Sequence, residues 1–122
     1  MRDPRLRKMR LEESLREALS SLLLQEAKDP RLAGVVISAV ALSGDLKQAK
    51  AFFSVFGDAE RERQAAEGLE QAKGFLRSAL RRLLSIDTVP ELIFLRDKGY
   101  EHADRVARIL DRLHQEEEHD RD

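Results

Sequence analysis

Lys73, Arg77 and Arg81 recur at steps of four, and Arg82 adds a fourth cation with no acid between residues 73 and 82. On a helix that spacing draws the charges into a row along one edge. Such a row suits the repeating phosphates of a polyanion backbone. Gly74 sits beside the first of these cations. A glycine inside a helix costs ~1 kcal/mol relative to alanine, so it calls for a reason. One is a kink dividing two shorter helices at Ala72-Lys73-Gly74; the other is close approach of a second backbone or of the sheet. A kink would also free backbone N–H groups to face an anion. The plain alternative is a solvated helix face, the usual fate of surface lysine and arginine.

A second basic segment lies at the N-terminus. Residues 1–16 carry six cations, among them Arg5, Arg7, Lys8 and Arg10, against three acids. Residues 111–122 carry six acids against two arginines. The net charge of −1 is therefore a cancellation of local patches, and binding follows the patches. The N-terminal cations are RNA-contact candidates, with pairing to the acidic tail as the competing reading.

Catalytic signals are weak. There is no cysteine, so thiolate nucleophiles, disulfides and cysteine-bound metals are excluded, in keeping with a reducing cytoplasm. His102, His114 and His119 are the three histidines, and none shows H-E-x-x-H spacing. The six glycines form no phosphate-cradling loop. A catalytic role, a cofactor, a metal and a small-molecule substrate are not expected. Nor is a membrane partner, since no apolar run approaches the ~20 residues that span a bilayer, and the first residues lack a signal-peptide core.

These residues need elements to position them. Leu11, Leu15, Ala18, Leu19, Leu22 and Leu23 mark an amphipathic helix from about Pro4 to Ala27, stopped before Pro30. Asp29-Pro30-Arg31 reads as a turn, with Asp29 capping a backbone N–H. Val35–Leu42 and Gln48–Phe56 read as an antiparallel hairpin. Phe52 and Phe56 are expected on an open sheet face, where they could stack on bases or meet a protein. A helix over Glu60–Leu84 follows, packed through Ala65, Leu69, Ala72, Leu76, Leu80 and Leu83. Leu92–Leu95 is a third strand, expected parallel to the first. A last helix carries Ala103, Val106, Ile109, Leu110 and Leu113. One domain over residues 1–114 and an acidic, disordered tail over 115–122 are expected. The fold class is α+β: a three-stranded mixed sheet with helices on one face.

The chain resembles the ribosome-binding factor A family of bacterial small-subunit assembly proteins. The matching residues are Asp29-Pro30-Arg31-Leu32, Val40, Ser43-Gly44-Asp45-Leu46 and Ala49. They continue with Ala72-Lys73-Gly74-Phe75-Leu76-Arg77, Pro90-Glu91-Leu92, Phe94 and Asp97, and end with Arg105-Val106, Ile109-Leu110 and Leu113. The likeness spans roughly residues 5–114, and its specificity lies in the order and spacing of the motifs. It implies a type-II KH-like fold in which an Ala-x-Gly kink replaces the Gly-x-x-Gly loop. It further implies binding to the immature 30S subunit and 16S rRNA, help with late 5′-end processing, importance in the cold, and no enzymatic activity. The RNA-binding candidates are then Lys73, Gly74, Arg77, Arg81 and Arg82, with Arg5, Arg7, Lys8 and Arg10, in a cytoplasmic monomer. A protein-interaction module using the open sheet face is the alternative.

Overall fold

The computed structural model describes residues 3–25 and 28–99, with Ile109, Arg112 and Leu113. The expected last helix and the boundary with the acidic tail lie outside the described residues, except that these three are helical. Helix α1 (Pro4–Gln25) leads into a 3-10 turn (Pro30–Leu32), then strands β1 (Val36–Leu42) and β2 (Gln48–Ser54), helix α2 (Ala59–Leu84) and strand β3 (Glu91–Arg96).

The turn forms for a local reason. Pro30 forbids helix at the residue before it, and the Asp29 carboxylate accepts the Arg31 N–H at 2.9 Å. The hairpin between β1 and β2 is built similarly. Asp45 accepts from the Ser43 hydroxyl at 2.6 Å and from the Lys47 N–H at 3.1 Å. These contacts, the Ser43 hydroxyl first, hold the Asp45 carboxyl below the usual range. They also fix the turn around Leu46, whose φ is +62°.

The sheet order is β1-β2-β3. β1 pairs antiparallel to β2, and β3 pairs parallel to β2. The expected parallel relation of the third strand to the first is thus corrected. The strand that enters the crossover helix is β2, so β2 and β3 are the parallel neighbours, and β1 is left as an edge. α1 covers part of that edge: Glu12 Oε2 accepts the Leu42 N–H at 2.8 Å.

Alternation decides the core. Ile37, Val40, Leu42, Ala49, Ala51, Phe53 and Leu92 are buried from the sheet, and Leu15, Leu19, Leu69, Leu76 and Leu80 from the helices. The other sheet face carries two cross-strand rows, Ala39–Phe52–Leu95 and Ala41–Lys50–Ile93. Phe52 on this face is half-buried. Phe56 is 99% exposed, but it lies past the end of β2 and not on the sheet. The second strand ends at Ser54, two residues earlier than its alternation suggests.

Candidate nucleic-acid interface

α2 carries the candidate residues. Its start is set by Asp58, whose side chain accepts the Arg61 N–H at 2.9 Å. Glu60 and Glu62 in the first turn and Arg81 and Arg82 in the last both complement the helix dipole. The helix is one continuous element of 26 residues. It runs unbroken through Ala72-Lys73-Gly74, so any bend there lies within one helix and does not divide two.

The other expected role of Gly74, close approach, is corrected. A Cβ at Gly74 would meet nothing within 4 Å. The close approach occurs at Gly68, where a Cβ would lie 3.1 Å from Arg31 Cβ and from Leu32 Cδ2. Gly68 is buried against the 3-10 turn, while Gly74 faces solvent.

Each four-residue step turns the helix by ~40° beyond a full turn. The row Lys73, Arg77, Arg81 therefore winds from the flank of the packed face toward solvent. Lys73 is half-buried and pairs with Glu70 at 2.8 Å. Arg81 donates to the Asp87 backbone carbonyl at 2.8 Å, which places it without neutralising it. Arg77 and Arg82 are exposed and make no ion pair among the described residues. Gly74, Arg77, Ser78, Arg81, Arg82 and Val89 line an open groove of about 470 Å³. Ser78 and Val89 were not legible as site residues, because Val89 arrives from the following loop. The arrangement offers three guanidinium groups, with forked donors suited to phosphate oxygens.

Arg5, Arg7 and Lys8 line a second groove, of about 600 Å³, with Pro4, Leu11, Gly44 and Leu46. Arg5 pairs with Asp3 at 3.7 Å. Arg10 is exposed and stands outside this lining. Among the described residues there is no group of three or more His, Asp or Glu side chains placed to hold a metal. No helix among them is long and apolar enough to cross a membrane.

The comparisons with known proteins agree with one another. The sequence profile of the family described as ribosome-binding factor A matches residues 7–110. The ribosome-binding factor A of Dictyoglomus thermophilum is 44% identical over 117 residues, covering 95% of this chain and 98% of its own. The crystal structure of the Thermus thermophilus factor superimposes with a TM-score of 0.64 at 32% identity, covering 73% of this chain and 94% of that one. Coordinates of the same factor fitted into the cryo-EM map of its 30S complex give 0.64 at 32% identity over 75% and 97%. The fold is accordingly α+β and KH-like, with no pair of glycines at the Gly-x-x-Gly spacing. Over nearly its whole described length, then, this chain belongs to the ribosome-binding factor A family.

Proposed function

We propose that this chain is a non-catalytic ribosome biogenesis factor that binds the immature 30S subunit and its 16S rRNA. It acts as a cytoplasmic monomer, assists late subunit maturation and 5′-end processing, and is needed most in the cold. Family membership supports this reading, as does the relative whose coordinates are fitted into a 30S complex. The observation that carries it is the α2 groove, where Arg77, Arg81 and Arg82 converge and make no ion pair among the described residues.

The mechanism is electrostatic docking. The three arginines engage phosphate oxygens, while Arg5, Arg7, Lys8 and Arg10 on α1 supply further contacts. Lys73 is a peripheral contributor, because an exposed i,i+3 pair such as Lys73–Glu70 is worth only ~0–1 kcal/mol and yields easily. Such contacts position the protein on RNA and do not read bases. Docking then favours whichever rRNA conformation presents its backbone to the groove, by differential affinity.

The test is co-sedimentation with 30S and 70S particles at 50 and 200 mM salt. About six phosphate contacts cost ~10³ in affinity across that range. The variant Arg77→Glu, Arg81→Glu, Arg82→Glu should lose 30S association while still melting cooperatively, at a somewhat lower temperature because Glu at the helix C-terminus opposes the dipole. Association unchanged in that variant would refute the site.

A further inference from the structure

We propose that the two basic grooves are one binding end, so that a single RNA segment is gripped by α2 and α1 at once, with Lys47 between them. This deepens the preceding reading and rests on it. The topology brings the two segments together although about sixty residues separate them in the chain. The first turns of α1 share their groove with Gly44 and Leu46 of the hairpin turn. One turn further along α1, Glu12 holds the Leu42 N–H. The same hairpin turn is bonded to the start of β3, where the Glu91 N–H donates to the Lys47 carbonyl at 2.8 Å. That start is joined by the loop holding Asp87 and Val89 to the last turns of α2, and Arg81 is bonded to this loop. The N-terminus of α1, the hairpin turn and the C-terminus of α2 therefore occupy one end of the molecule. Neighbouring strands lie ~4.8 Å apart and packed helices ~8–10 Å apart, so these cations sit within reach of one polyanion.

The charges at that end point outward. Of its carboxylates, Asp45 is engaged by Ser43 and the Lys47 N–H, Glu12 by the Leu42 N–H and Asp3 by Arg5, while Asp87 and Glu91 are exposed and make no ion pair among the described residues, so the cations there outnumber the open acids. Arg7, Lys8, Arg10, Lys47, Arg77 and Arg82 make no ion pair among the described residues. The opposite end contrasts with this. There Arg31 is held by Asp29, Arg63 by Glu60 and Glu67, and Arg96 by Glu62 at 2.8 Å. Three arginines at that end sit in ion pairs, whereas most cations at the first end have none among the described residues. Lys47 is exposed on the turn that joins the two grooves. Its backbone N–H and carbonyl hold the turn, and its side chain makes no hydrogen bond or ion pair among the described residues.

The experiment measures binding of a short RNA hairpin against salt by fluorescence anisotropy, and stoichiometry by calorimetry. The full-length chain is compared with Lys47→Ala, with Arg7→Ala plus Lys8→Ala, and with the α2 triple reversal. Each variant is checked for cooperative melting above the assay temperature. One hairpin per chain is expected. Lys47→Ala should flatten the slope of log affinity against log salt by about one contact, and the α1 pair by about two. Two hairpins per chain would overturn the proposal. So would full salt dependence in Lys47→Ala and the α1 pair alongside lost binding in the α2 variant; the α2 groove would then act alone, leaving the proposed function standing. Unchanged binding in all three variants would defeat both readings.

Discussion

The two halves of α2 use the same residue types to opposite ends. In the first half, each cation is answered within the protein. Arg61 donates to the carbonyls of Arg31 at 2.8 Å and of Ala33 at 2.5 Å. Arg63 bridges Glu60 and Glu67, which holds the Glu60 carboxyl below its usual range, mainly through the hydrogen bond from Arg63. Gln71 accepts from Arg31 at 2.6 Å. In the second half, Arg77 and Arg82 have no such partner among the described residues and Arg81 has only a carbonyl. A cation that holds the fold has an acceptor within the protein, as Arg61 and Arg63 do, whereas Arg77 and Arg82 have none among the described residues and are left for the proposed polyanion. Position along a helix can separate the two roles where residue type cannot.

That comparison can be broken by substitution. The largest effect belongs to the buried seam that both halves share: Leu69→Ala and Leu76→Ala should each cost about 2–5 kcal/mol in chemical denaturation, with Arg77→Ala beside them nearly neutral. Arg61→Ala should come next. It removes two hydrogen bonds, one of them exposed, and should cost about 0.5–1.5 kcal/mol, while the salt dependence of RNA binding stays unchanged. A normal melting curve for Arg61→Ala would erase the distinction between the halves.

The glycines sharpen it on a smaller scale. Gly74→Ala fills open space on an exposed helix and should stabilise by about 0.5–1 kcal/mol. Gly68→Ala crowds Arg31 and Leu32 and should stabilise less or destabilise. Equal stabilisation in both would mean that the 3-10 turn is not packed on α2 as described.

The smallest effect is acid sensitivity. Arg31, through its side chain first and its N–H second, holds the Asp29 carboxyl below the usual range. A depressed folded value gives stability that is complete above the unfolded value, near pH 4, and fades as pH falls through the folded one. Asp29→Asn should therefore flatten part of the decline in melting temperature below about pH 4. An acid limb identical to that of the parent protein would exclude the Arg31 contact.

Much of the fold was legible in the chain. Apolar steps of three and four placed α1 and α2 within a few residues of their observed bounds, because a helix's buried stripe is a local pattern. Asp29 and Pro30 announced their turn for the same reason. What stayed hidden depends on distant neighbours. The partner of β3 is chosen by the whole sheet. The choice between Gly68 and Gly74 turns on Arg31 and Leu32, more than thirty residues upstream, and sequence reasoning picked the wrong glycine. The cationic row was visible, but its sorting was not. That Lys73 has an acid one turn back could have been read from Glu70. That Arg81 would meet the Asp87 carbonyl could not, since the loop's path is set by the sheet. Val89 and Lys47 join the proposed binding end only through tertiary contact.

The carboxylate of Glu12 has a consequence at the level of many molecules. A bare outer strand is a template on which a second copy can add its own strand and begin a fibril. By occupying the amide of Leu42, this one side chain removes a rung from that ladder. A short polar cap on a single peptide group thus helps keep a crowded population of such chains from zipping together.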